Sequence, residues 1–413
     1  MRRKASPDNI WSFELPSIQD SPEAMRALAE AMERGTAQGH TEDEIVEQLG
    51  DAVGRAVMAG LRTSTVTLTN ELQRRAPRML AEHARSRRGF ERRLQRVWGD
   101  GLDLVYELIV CCIELGESCW NEHADDSAAS NEIRFYALSL IHARSLLVAQ
   151  EVHSLLRSGY PHGAWARWRT LHELCVVGEL ISNGDNELAT RFLAHTVVEA
   201  YEDLLIDEQY QARTGYVPPP PAVRDEMKAN SDAAIAQFGD RFAGSWQWAA
   251  PLTAPKWPKF ALLEELAGLD HRRPSYRLGC HLLHGGSSGT DMVQVPFRGG
   301  LQFLVGPTNV DLDGPAIDLV IGLTTITITY LMHAVRDAPP PLVVASMETL
   351  MKMSDLARDE LTAANERVHI SEERAVALAE QGWPARTTAA ALNLARAAKR
   401  TGHRVRRRIG AYR

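Results

Sequence analysis

The chain of 413 residues and 45.8 kDa is long enough for two or three domains. With 45% hydrophobic and 24% charged residues, its composition is that of a globular protein and excludes a fibrous or disordered chain. Five cysteines without a CxxC pair exclude zinc ribbons and thioredoxin-like redox chemistry.

The opening MRRKASPDNIWSFELP carries positive charge but no apolar run of signal-peptide length, so a cytoplasmic location with reduced thiols is expected. From Ser21 to about Arg96 the pattern predicts several amphipathic helices. Ser21-Pro22-Glu23 supplies a capping serine, a first-turn proline and an acid. Thr41-Glu42-Asp43-Glu44 has the spacing of a capping box. Gly99-Asp100-Gly101 is read as the next boundary, followed by a central core helix over Leu102–Leu115. A polar break is expected at His123–Ser130. Helices then follow over Ile133–Arg157, Gly163–Ser182 and Glu187 to about Tyr210, the first ended by Ser158-Gly159-Tyr160-Pro161.

Val217-Pro218-Pro219-Pro220-Pro221 cannot be helix interior and marks an excursion. Asp291–Val305 partly alternates around Arg298-Gly299-Gly300, which predicts a β-hairpin. Ala316–Val335 is long enough to span a membrane, but Asp318, His333 and the threonines between Thr324 and Thr329 favour a buried core helix or a helix–strand mix. Pro339-Pro340-Pro341 ends that segment, and a helical region follows from about Leu342 to Ala379. The expected fold class is all-α, a multi-helix bundle with at most one small hairpin near residues 291–305. The expected domains are an amphipathic helical region over 1–98, a helical core over 99–338, and C-terminal helices with a basic tail over 339–413. No membrane partner is expected.

Charge is uneven. Residues 381–413 hold nine basic residues and no acid, which leaves −16 of the total −7 on residues 1–380. Arg404, Arg406, Arg407 and Arg408 form the densest part of this tail and are candidates for phosphate contacts with RNA or another polyanion. Trp383 and Tyr412 lie at the tail's ends and not among its arginines, so base stacking is not expected. A second arginine cluster, from Arg74 to Arg96, is diluted by Glu82 and Glu91 and reads as a solvated helix face.

Three constellations could carry chemistry. In Tyr276-Arg277-Leu278-Gly279-Cys280-His281-Leu282-Leu283-His284, helical spacing places Arg277, His281 and His284 on one face. A guanidinium holds phosphate oxygens, and imidazoles move protons near neutrality. That is a minimal apparatus for cleaving RNA without metal. The same three groups near a helix C-terminus would also stabilise its dipole. The second constellation is Arg169, His172 and Glu173. The third is Arg191 and His195, with Glu199 and Glu202 one and two turns on. Arg169, His172, Glu173, Arg191 and His195, with Tyr276, could together line one anionic-ligand pocket, or lie in separate ion pairs between packed helices. Gly285-Gly286-Ser287-Ser288-Gly289 matches GxSxG, but a helix and not a strand is expected before it. A single Glu-x-x-His, Glu366-Arg367-Val368-His369, falls short of a di-iron bundle's two. Without a Walker loop, GxGxxG or HExxH, neither cofactor nor metal is expected.

Ala143-Arg144 through Glu151, Gly159-Tyr160, Arg167-Trp168-Arg169-Thr170-Leu171-His172-Glu173 and Arg191–His195 resemble a bacterial family of unknown function, domain-of-unknown-function family 5677. Tyr276–His284 and Val305-Gly306-Pro307 resemble it as well, so the similarity runs from about Gly99 to Val335. It implies an all-helical fold and no mechanism. Arg277-x6-His284 also resembles the Arg-x4–6-His signature of HEPN-type ribonucleases, helical toxins and defence nucleases. That resemblance implies a homodimer that cleaves RNA without metal, with Arg277 binding phosphate and His284, or His281, as the acid–base group. Leu278 departs from that pattern, in which a polar residue commonly follows the arginine.

Overall fold

The computed structural model describes residues 22–125, 132–297, 300–334 and 340–380. The chain divides into two compact units, Met1–Phe90 and Glu91–Arg413.

In the first unit, α1 (Pro22–Ala37) opens on its proline and stops at Gly39, whose φ of +69° suits a residue without a side chain. α2 (Glu42–Asp125) then begins on the capping box. Thr41 N donates to Glu44 Oε2 at 2.9 Å, and Glu44 N returns a bond to Thr41 Oγ1 at 3.4 Å. Further along, Glu71 holds Arg74 at 2.7 Å and Arg78 reaches Glu82 at 3.0 Å. These are exposed pairs of small energetic value.

The expected boundary at Gly99-Asp100-Gly101 is absent, because α2 runs through it, as it runs through Pro77. Tertiary packing explains the glycine at 101. A Cβ there would lie 3.0 Å from Leu361 Cδ2 and 3.3 Å from Leu361 N. The residue marks a close helix contact, and packing overrides its poor helix propensity.

In the second unit, α3 (Ile133–Arg157) and α4 (Pro161–Asn183) form a helical hairpin. Its turn is closed by Tyr160 N on Leu155 O and Gly159 N on Leu156 O, with Gly159 at φ +79°, the geometry of a Schellman cap. α5 (Asn186–Thr214) starts on Asp185, whose carboxylate accepts from Leu188 N at 2.9 Å. The proline excursion leads into α6 (Pro221–Phe238). Two tight turns, Asp240–Ala243 and Gln247–Ala249, precede α7 (Ala250–Thr253) and α8 (Phe260–Leu266). α9 (Arg273–Leu283) and α10 (Ser287–Asp291) follow. A two-stranded antiparallel hairpin, β1 (Gln294–Phe297) with β2 (Gly300–Phe303), pairs Gln294 with Phe303 and Phe297 with Gly300. α11 (Asp313–Ala334) and α12 (Pro341–Glu380) complete the described chain.

The fold class is all-α with this small hairpin. α11 settles as a single helix and packs on α3, α4 and α12. It is long and apolar enough to cross a membrane by length and composition, yet most of it is buried here. Close approach depends on missing side chains: a Cβ at Gly178 would meet Ile326 Cδ1 at 2.3 Å, and one at Gly322 would meet Leu171 Cδ2 at 3.2 Å. Trp98, Leu102, Leu138, Trp168, Leu171 and Tyr330 are fully buried around these contacts, each worth roughly 1.5–3 kcal/mol relative to exposure.

Several polar groups in this core find partners. His142 Nε2 lies 3.1 Å from Thr327 Oγ1, Ser139 Oγ 3.3 Å from Tyr330 Oη, and Thr329 bonds Glu179. Cys175 Sγ donates to Gly322 O at 3.2 Å. All five cysteines are free thiols.

Candidate functional site

α9 is anchored on its inner side. Tyr276 is buried and its hydroxyl donates to Glu173 Oε1 at 2.7 Å. Arg169 Nη2 reaches the same carboxylate at 2.9 Å, while its guanidinium lies 5.1 Å from the Tyr276 ring centroid. Burial, then the bond to Glu173, raises the Tyr276 pKa. Gly279 sets the helix spacing, since a Cβ there would lie 2.9 Å from Trp165 O and 3.4 Å from Arg169 Cβ.

Below this anchor the ionic network continues. His172, 3% exposed, sits 2.7 Å from Glu264 Oε1, and Glu264 is fully buried. Arg273 pairs with the other Glu264 oxygen. Arg272 reaches Asp318 Oδ1 at 2.5 Å, where burial raises the aspartate's pKa against the pull of Arg272. Phe260 covers the network, 4.8 Å from the Tyr276 ring and 5.9 Å from His172. Three guanidinium groups (Arg169, Arg272, Arg273) thus face three carboxylates (Glu173, Glu264, Asp318). The charges balance internally, leaving no excess that an incoming anion would neutralise.

Arg191 and His195 serve elsewhere. Arg191 is buried, donates to the carbonyls of Trp248 and Gln247 at 3.1 Å each, and lies 4.8 Å from the Phe238 ring centroid. Burial lowers its pKa. His195 Nε2 meets Gly244 O at 3.2 Å, and Nδ1 meets Glu199 Oε1 at 3.2 Å. Burial pulls the His195 pKa down, but the Glu199 carboxylate outweighs it, and the net shift is upward. Together these side chains hold the segment from Gly244 to Trp248 against α5.

The outer side of α9 is different. Arg277 and His284 are exposed and His281 is half-buried. None of the three side chains has a hydrogen-bond or ion-pair partner among the described residues. α9 ends at Leu283, and His284 is its extended cap with ψ 146°. Its N–H still bonds Cys280 O at 3.0 Å, so its Cα keeps the helical position. The helical rise separates the Cα atoms of Arg277 and His281 by about 6 Å, and those of Arg277 and His284 by about 10 Å. The backbone here is tightly supported, because a Cβ at Gly289 of α10 would lie 1.9 Å from His281 O and 3.3 Å from His284 O. Among the described residues no cluster of His, Cys, Asp and Glu could hold a metal ion.

The structure therefore unites Arg169, His172, Glu173 and Tyr276, places Arg191 and His195 in a separate clamp, and leaves Arg277, His281 and His284 outside both. The GxSxG serine, Ser287, opens α10 after a helix and a loop, with no strand before it. Arg404, Arg406, Arg407 and Arg408 lie outside the described residues. Sequence reasoning missed Glu264, Arg272, Arg273 and Asp318 as network members. Asp318 carried the one usable signal, since an acid within an apolar helix needs a buried cation. Arg167 and Glu151, both in the family-like motif, pair across the α3–α4 hairpin.

Residues 135–296 match the model of a family of unknown function, domain-of-unknown-function family 5677. The match begins in α3 and ends in β1, so it includes α4, α5 and α9 but not Val305-Gly306-Pro307. No curated protein matches the chain, and no solved structure does.

Proposed function

We propose that the outer side of α9 binds an RNA phosphodiester and cleaves it without metal. One observation carries this reading: Arg277 and His284 are exposed, His281 is half-buried, and none of their side chains has a partner among the described residues, while Arg169, His172, Arg191 and His195 are all engaged in internal contacts. The guanidinium of Arg277 suits the non-bridging phosphate oxygens. One histidine takes the proton from the ribose 2′-hydroxyl, and the 2′-oxygen attacks phosphorus. The 5′-oxygen leaves with a proton from the other histidine. The products are a 2′,3′-cyclic phosphate and a free 5′-hydroxyl. The similarity of Arg277-x6-His284 to the HEPN-type signature supports the same assignment, including a homodimer. Incubating the full chain with RNA in EDTA tests it. Cleavage slowed by at least about a hundredfold in His284→Ala, and also slowed in Arg277→Ala, is expected. Equal rates in all three proteins would reject it.

A second reading is a non-catalytic helical module that holds polyanions through Arg404–Arg408. The place of His281 in the last turn of α9 favours it, because a basic side chain there can serve the helix dipole alone. Under this reading, deleting residues 381–413 abolishes a salt-sensitive RNA affinity; unchanged affinity would reject it.

A further inference from the structure

We propose that the outer edge of β2 pairs with the same edge of a second copy of this chain, joining two hairpins into one four-stranded antiparallel sheet. Leu304 N donates to Val293 O at 2.8 Å. With the register Gln294–Phe303 to Phe297–Gly300, antiparallel alternation makes 295/302 and 297/300 the bonded pairs. The N–H and C=O groups of 294, 296, 301 and 303 therefore turn outward. On β1 that edge is blunted, because residue 296 is proline and has no N–H. On β2 the backbone groups of Leu301 and Phe303 have no further backbone partner among the described residues.

Folded proteins guard a free strand with charge, proline or a covering element, yet no charged residue occurs from Gly300 to Val305. Phe303 is 65% exposed and Val305 92%. A lone two-stranded hairpin is also marginally stable in water, so added strands would stabilise it. A second copy fits for two reasons. A two-fold axis at Phe303 lets each Phe303 N–H meet the partner's Phe303 carbonyl, with no like charges opposed. And because the proline blunts the other edge, pairing closes at two chains and does not propagate as a filament. Dimerisation here does not depend on any chemistry at α9.

Sedimentation of the full chain tests this, with Phe303→Pro and Phe303→Lys as variants. Residue 303 is not bonded to β1, so proline there leaves the hairpin ladder intact. The wild type is expected at twice the 45.8 kDa chain mass. Phe303→Pro removes two symmetry-related hydrogen bonds and should weaken the dimer roughly 30-fold. Phe303→Lys should weaken it comparably by opposing like charges, and serves if the proline variant misfolds. A wild type that stays monomeric, or a dimer indifferent to a folded variant, would overturn the proposal.

Discussion

Acid should loosen the core at His142, and the size of the effect follows from its surroundings. The imidazole is buried between α2, α3 and α11. Its Nε2 meets Thr327 Oγ1 at 3.1 Å, its ring stacks 4.7 Å from Tyr330, and Gly116 leaves just enough room for it. Burial pushes its pKa down to about 4. In the unfolded chain an imidazole titrates near 6.5. Between these values the unfolded state holds one more proton, so stability falls as pH drops through 6.5 and flattens below about 4. Two and a half pH units correspond to about 3 kcal/mol, a large part of the 5–15 kcal/mol typical of a fold. His153, His162 and His333 are also pushed down by burial and add to the slope, whereas Asp318 opposes it. Comparison with His142→Gln isolates one residue, because glutamine keeps a polar head and does not titrate. Urea unfolding from about pH 7 to pH 4.5 should show the wild type ahead at neutral pH and its lead shrinking by 2–3 kcal/mol in acid. Parallel pH curves would refute the reasoning.

Arg191→Ala should cost about 3 kcal/mol, because it strips two buried carbonyls of a charged donor. It should also expose the segment from Gly244 to Trp248 to limited proteolysis; unchanged melting and no new cut would contradict this. Gly279→Ala adds a methyl 2.9 Å from the Trp165 carbonyl, a backbone atom that cannot step aside. Overpacking of 1–3 kcal/mol should exceed the gain of about 1 kcal/mol in helix propensity, and a raised urea midpoint would show that α9 sits more loosely on α4.

Local rules carried most of the fold. Period and capping marked Ile133–Arg157 to the residue and predicted the capping box at Thr41, because these signals depend on neighbours within one turn. The boundary at Gly99-Asp100-Gly101 failed because glycine serves two ends, stopping helices and admitting a neighbour. Only the approach of Leu361 of α12 distinguishes them, and that contact is hundreds of residues away in sequence. Arg169, His172 and Glu173 read equally well as a pocket or as an ion-pair network. Glu264 and Arg273 decide the matter: Glu264 reaches His172, and Arg273 reaches Glu264, only through tertiary folding. At α9 the helical spacing of Arg277, His281 and His284 could be read directly, whereas the exposure of Arg277 and His284 could not.

The 2′-hydroxyl is the most direct handle on the proposed chemistry at α9. Two oligonucleotides would be incubated with the full chain in EDTA, identical but for one ribonucleotide in the first and its 2′-deoxy form in the second. The account predicts a cut only beside the ribose, leaving a 2′,3′-cyclic phosphate, and loss of that cut in His284→Ala. Cleavage of both strands, or of neither, would contradict it.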